Sequence, residues 1–206
     1  MTSPLERAVE VMDRLRSPGG CPWDAEQTHS SLTRYLVEES YEVLEAIETD
    51  DASLLREELG DLLLQVLFHA RIAAERPDGF DIEDVATDLV EKLIRRHPHV
   101  FAGASTGSAA DLNEAWERQK VAEKGRTSAV DGVPVAQPAL ALTAKLVARA
   151  QRHGLTPELT PGDDIGRQLF ALVQQAVAQG VDPETELRRV ARDYRNAILA
   201  AEGAGS

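Results

Sequence analysis

The sequence predicts an all-α fold, and three observations carry that expectation. Apolar residues recur at helical spacing through every long segment, no stretch alternates apolar and polar residues as a half-buried strand does, and Pro, Gly, Asp and Ser fall between the periodic segments as stops and caps. With 206 residues and 43% apolar composition, the chain can bury a core as one ordinary domain or two small ones.

Residues 4–16 read as a short helix, with Pro4 at its start and Leu5, Val9, Met12 and Leu15 on one side. The run SPGGCPWD, Ser17 to Asp24, breaks it and is expected to be an ordered turn or loop in which Trp23 plugs a core. A first long helix is expected from about Thr28 to Thr49 and a second from about Ser53 to Pro77. The link between them is so short that the two must form an antiparallel hairpin. Asp81 stands where it would cap a third helix, which Pro98 stops. Gly103 to Asn113 is small and polar, as in a linker, and a short helix with Trp116 and Lys120 follows. Residues from Gly125 read as an extended segment, and helices resume at about 138–153, 163–179 and 183–202.

The stretch from Glu38 to Asp61 concentrates the candidate chemistry. Glu39 and Glu42 stand three apart on the first long helix, Glu58 and Asp61 three apart on the second, so each pair shares a helix face. Laid antiparallel, the two helices would set four carboxylates across one gap, oxygen ligands suited to Mg²⁺ or Mn²⁺. For Glu38, Glu39 and Glu42 the plainer reading is a solvated face, because Leu36, Val37, Tyr41, Val43, Leu44 and Ile47 make their helix an ordinary amphipath. The second helix differs. After Asp61 the run Leu62, Leu63, Leu64, Val66, Leu67, Phe68 and Ala70 points apolar groups almost all round, which predicts a buried helix. Glu58, Asp61 and Gln65 share one narrow stripe of it at about 100° per residue, and carboxylates there are costly unless a cation meets them.

Positive charge is concentrated later. Lys92 and Arg96 lie four apart on one face of the third helix, spaced to grip one polyanion, although cations near a helix end also suit its dipole. Trp116 and Lys120 are likewise four apart, an aromatic that can cover a base beside a cation that can hold a phosphate; a Trp stapling a short helix to a core is the alternative. His97 and His99 read as surface or packing residues.

The charge balance, 22 basic against 35 acidic residues for a net of -13, argues against a nucleic-acid polymer or an anionic membrane as partner. The single Cys21 can form no internal disulfide, and the charged N-terminus is unlike a signal peptide, so a cytoplasmic location is expected. No apolar run approaches membrane-spanning length.

The chain also carries a worn repeat. DDIGRQLFALVQQA, Asp163 to Ala176, echoes EELGDLLLQVLFHA, Glu57 to Ala70. Asp164 stands in the place of Glu58 and Gly166 in that of Gly60, but Arg167 replaces Asp61; further on, Asp193 and Ala197 stand in the places of Lys92 and Arg96. The second copy therefore cannot assemble the same site. The expected organisation is a catalytic domain over 1–124, a linker over 125–137 and a truncated, degenerate second unit over 138–206.

The segments CPWDAEQT, VEESYEV, REELGDLLLQV, EKLIRRHPHVF and EAWERQK resemble the MazG nucleoside triphosphate pyrophosphohydrolases, nearly continuously from about residue 5 to 124. The family signature, two adjacent glutamates, a third three residues on, then Glu-x-x-Asp, falls on Glu38, Glu39, Glu42, Glu58 and Asp61. The resemblance implies an all-α dimer, Mg²⁺ held by Glu39, Glu42, Glu58 and Asp61, nucleotide contacts from Lys92, Arg96, Trp116 and Lys120, and hydrolysis of NTP or dNTP to the monophosphate and pyrophosphate. Two alternatives accompany that expectation: a pyrophosphatase narrowed to dUTP or dCTP, and a helical regulatory module that binds metal and nucleotide without turnover.

Overall fold

A long antiparallel helix hairpin organises the first half of the chain. The computed structural model describes residues 2–103, 107–108, 111–112, 116, 127–160 and 162–203. They divide into two compact units, Met1–Thr106 and Gly107–Ser206. All the regular elements among the described residues are helices.

In the first unit α1 spans Pro4–Arg16 and opens with a reciprocal cap, Ser3 and Glu6 each bonding the other's backbone N–H. The chain then doubles back on the end of α1. The Cys21 N–H donates to the Leu15 carbonyl at 2.8 Å, and a Cβ on Gly20 would lie 2.2 Å from that same oxygen, so only glycine fits the return. Where the sequence suggests a loop, Pro22–Glu26 forms a five-residue helix, α2. So short a helix is unstable alone. Arg16 holds it: the buried guanidinium donates to the backbone carbonyls of Asp24 and Gln27, which lie at the end of α2, and pairs with both carboxylate oxygens of Glu75 at 2.9 and 3.0 Å. Trp23 does not plug the core as expected. It remains 50% exposed, edge-on to Tyr35 and Phe68 with ring centroids 6.0 and 6.3 Å away, so it lies over the core rather than in it.

The hairpin consists of α3, Thr33–Glu48, and α4, Ala52–Ala73. Helix α3 starts later than the periodicity suggests, because Thr28 and Ser31 bond each other's backbone N–H groups through their hydroxyls and hold the chain in a turn. The connection is tight. Asp50 takes a positive φ of 55°, and the Asp51 carboxylate accepts the N–H groups of Ser53 and Leu54, both at 3.0 Å, starting α4. Helix α5, Ile82–Arg96, has the expected Asp81 cap, strengthened by Asp84 bonding back to the Asp81 N–H, and the one-turn α6, Pro98–Phe101, follows. The core joins α1, the entry to α3, and α4 through Met12, Leu32, Leu67 and Phe68, with Ala8, Val9, Tyr35, Ile72 and Ile82 packed around them.

The expectation that α4 is buried all round holds only for its last two turns, Leu67 to Ala73. Gln65, Leu67, Phe68, Ala70 and Ala73 are buried, whereas Leu59, Leu63, Leu64 and Val66 are exposed. The reason is coverage: α1 and the start of α5 meet α4 around Leu67, Ala70 and Ala74, leaving the turns before Leu67 with α3 as their neighbour.

In the second unit α7, Ala139–Arg152, packs on α8, Ile165–Ala178, and on α9, Pro183–Gly203, with Val147, Arg149 and Val173 buried. The segment before α7, expected to be extended, contains turns in which the Asp131 carboxylate accepts the N–H groups of Thr127 and Ser128. No helix among the described residues is long and apolar enough to cross a membrane.

Arg16 is the testable joint of the first unit. Arg16→Met should destabilise it by roughly 3 kcal/mol, because Glu75 is left with Arg71 alone, the Asp24 carbonyl with the Gln27 N–H alone, and the Gln27 carbonyl loses its Arg16 donor. Glu75→Gln should cost less, since the Glu75 side chain is 41% exposed. Urea unfolding midpoints of the two variants check both the size and the order.

Candidate metal centre

The tight turn at Asp50 and Asp51 sets α3 and α4 side by side, so that acids spaced for separate helix faces meet across the hairpin. Glu39 from α3 and Glu58 and Asp61 from α4 each bring a carboxylate oxygen within 4.8 Å of the others, and all three are half-buried. Oxygens around one hard cation, each roughly 2.0–2.6 Å from it, lie no more than about 4–5 Å apart, so the donor set and its spacing fit such an ion. Among the described residues these three form the group placed to hold a metal.

The electrostatics point the same way. Glu39 is pushed up to about 7, first by burial, then by a hydrogen bond with Glu42, then by the charges of Asp61, Glu42 and Glu58. Glu58 is raised as well, by burial and then by Glu42, Asp61 and Glu57. Each of these charged neighbours is another carboxylate. The metal-free cluster relieves its repulsion when Glu39 keeps its proton, and a divalent ion would do so more completely.

The structure sorts the sequence candidates. Glu42 is half-buried beside Glu39 but outside the three-acid group; Glu38 is exposed and also outside it. Lys92 and Arg96 are half-buried near the end of α5, whose start packs on the core at Ile82, and neither is among the charges acting on Glu39 or Glu58. Trp116 is a half-buried helical residue of the second unit. Lys120 lies outside the described residues.

Two histidines that the sequence did not single out extend the acidic stripe of α4. His69 follows Gln65 by one turn, and its Nδ1 lies 2.8 Å from Nδ1 of His29. The ring planes differ by 5° with centroids 5.1 Å apart, which is a hydrogen bond plus two ring radii, so the rings meet edge to edge. His69 is held below its ordinary value by burial and then by His29. The 4-residue step from Gln65 was visible in the sequence, but His29, 40 residues away, had no signal.

The corresponding positions of the second unit are arranged differently. Asp164, standing in the place of Glu58, caps α8 instead of lying inside it, and it forms an ion pair with Arg167.

Residues 27–101 match the MazG nucleotide pyrophosphohydrolase domain. An uncharacterised 26.1 kDa protein of Streptomyces cacaoi is 53% identical over 199 residues, covering 95% of this chain and 81% of that protein. A protein of Thermotoga maritima named nucleoside triphosphate pyrophosphohydrolase/pyrophosphatase MazG is 40% identical, covering 92% of this chain and 82% of its own. The nucleoside triphosphate pyrophosphohydrolase of Mycobacterium tuberculosis is 46% identical over 97% of this chain, which spans 58% of that protein's length.

Because the Glu39 carboxyl is raised in the fold, its contribution to metal-free stability is complete below its ordinary value of 4.5 and is lost as pH rises through about 7. In EDTA, the melting temperature of the wild type should therefore fall relative to Glu39→Gln across that interval, and stabilisation by added divalent cation should grow over the same interval. Parallel melting curves for the two proteins would contradict the assignment.

Proposed function

This chain belongs to the MazG nucleotide pyrophosphohydrolase family, and we propose that it hydrolyses nucleoside triphosphates between the α and β phosphates, with Mg²⁺ as cofactor and Mn²⁺ as a substitute. The observation that carries this reading is the convergence of Glu39, Glu58 and Asp61 inside the segment that matches the family domain. Water and NTP or dNTP give the monophosphate, pyrophosphate and a proton. A bound divalent cation supplies charge neutralisation on the phosphate oxygens and makes water more acidic.

The chain's own groups do the rest. Glu39, Glu58 and Asp61 would hold the cation, and Glu42, hydrogen-bonded to Glu39, would complete the set once Glu39 gives up its proton. Glu38, exposed beside Glu39, accepts the proton of the attacking water. Lys92 and Arg96 take the β and γ oxygens, where each charge-assisted contact contributes ~1.5–3 kcal/mol. The family resemblance is what assigns Trp116 and Lys120 to the base and a phosphate. Damaged or non-canonical triphosphates are the substrates whose removal gives such an activity its use in a cytoplasmic nucleotide pool.

A homodimer belongs to this reading. Leu36, Val37, Leu44 and Ile47 on α3 and Leu59, Leu63, Leu64 and Val66 on α4 are large apolar side chains exposed on the hairpin. An apolar surface on that scale is an association surface, and a second copy of the hairpin would cover it and dry the acidic cluster.

Glu42→Gln and Asp61→Asn should each retain the helical fold by circular dichroism and lose metal-dependent pyrophosphate release by at least ~100-fold. Turnover near wild type in either variant would defeat the assignment. Lys92→Ala should raise KM for the triphosphate by roughly 10- to 100-fold, as loss of one charge-assisted contact requires, with Mg²⁺ affinity little changed. A panel of canonical, deaminated and oxidised triphosphates, with pyrophosphate and orthophosphate measured separately, identifies both the bond cleaved and the preferred base.

A further inference from the structure

We propose that Gln65 is a positioning residue of the metal centre: its carboxamide oxygen accepts a hydrogen bond from a water held between it and the cation, and so fixes where that water stands. The inference rests on Glu39, Glu58 and Asp61 being the cation site. Gln65 is 4% exposed, and its Oε1 has no hydrogen-bond partner among the described residues. Buried polar atoms in native proteins are almost always paired, with protein or with ordered water, and one left unpaired is a loss for the fold. An atom so placed points to a ligand.

Its position on α4 indicates which. At about 100° per residue Gln65 falls between Glu58 and Asp61 around the axis, and it lies one turn, about 6 Å, beyond Asp61 along it. A carboxamide reaching back over one turn meets the hydration shell of an ion between the carboxylates rather than the ion itself. Mg²⁺ and Mn²⁺ held by a few carboxylates keep several waters, whose hydrogens need acceptors. The oxygen of Gln65 is such an acceptor, and because a carboxamide does not take up a proton it can orient a water without removing its hydrogen. Reaction of that water with the α-phosphorus would still need a carboxylate to accept the proton.

A competing account is a water shared between Gln65 and His69, whose Nε2, one turn further on, also has no partner among the described residues. Such a water would satisfy both side chains whether or not a cation were present. The two accounts differ in how Gln65 couples to the metal.

The test is a comparison of the full-length wild type with Gln65→Met, which matches the length of the side chain and removes its polar end. Mn²⁺ affinity is read by calorimetric titration and melting temperature is read with EDTA and with saturating Mn²⁺. The expected result is a variant that melts no lower than wild type in EDTA, binds Mn²⁺ roughly 10- to 100-fold more weakly, and gains less in melting temperature from the metal. Its kcat should fall in the same proportion with KM little changed. Mn²⁺ affinity within about twofold of wild type would overturn the proposal and leave the metal site standing. A wild type that binds no Mn²⁺ would overturn both. If Gln65→Met does not fold, Gln65→Asn, which keeps the carboxamide but withdraws it by one methylene, is read by the same titration: weaker Mn²⁺ binding supports the proposal, and an unchanged affinity overturns it.

Discussion

Like charge crowded across a helix hairpin is the constraint on which the first unit depends. A three-residue link capped by Asp51 leaves α3 and α4 no freedom to separate, so Glu39 must face Glu58 and Asp61 whatever the repulsion. Burial raises the Glu39 carboxyl first, and its hydrogen bond with Glu42 and then the neighbouring charges raise it further. Other features keep the crowding in place. Arg16 ties α2 to the far end of α4, and Met12, Leu32 and Phe68 lock α1 and α3 onto it, so the hairpin is held from the end opposite the acids.

The second unit shows the same pattern without the constraint. Its helix α8 begins at Ile165, so the position of Glu58 becomes a cap, and the position of Asp61 becomes Arg167, which pairs with that cap. Charge is neutralised within one turn, and no cation is called for. Two changed residues and a later helix start thus leave α8 without an acidic cluster like the one that Glu58 and Asp61 join with Glu39.

The fold class and the hairpin were legible in the sequence because apolar periodicity and strong caps at Asp51 and Asp81 act locally. What was not legible depends on contacts between elements. The late start of α3 comes from a reciprocal Thr28–Ser31 turn that competes with helix at equal sequence cost, and α2 exists because Arg16 supplies donors to its end. The burial of α4 was overestimated because composition reports how apolar a helix is, not how much of it neighbours cover. The same residues, Leu59, Leu63, Leu64 and Val66, then become informative as exposed surface. Spacing set Glu58, Asp61 and Gln65 on one stripe of α4 but left Glu39 as an ordinary solvated-face acid, and the hairpin packing is what brings it to Glu58 and Asp61. Spacing gave no hint of His29, which reaches His69 through tertiary packing.

The central claim is that one divalent ion belongs between Glu39, Glu58 and Asp61, and anomalous diffraction from crystals grown with Mn²⁺ tests it most directly. The account predicts a strong anomalous peak within coordination distance of all three carboxylates. A peak elsewhere on the chain, or none at millimolar Mn²⁺ with the three side chains ordered, would contradict it.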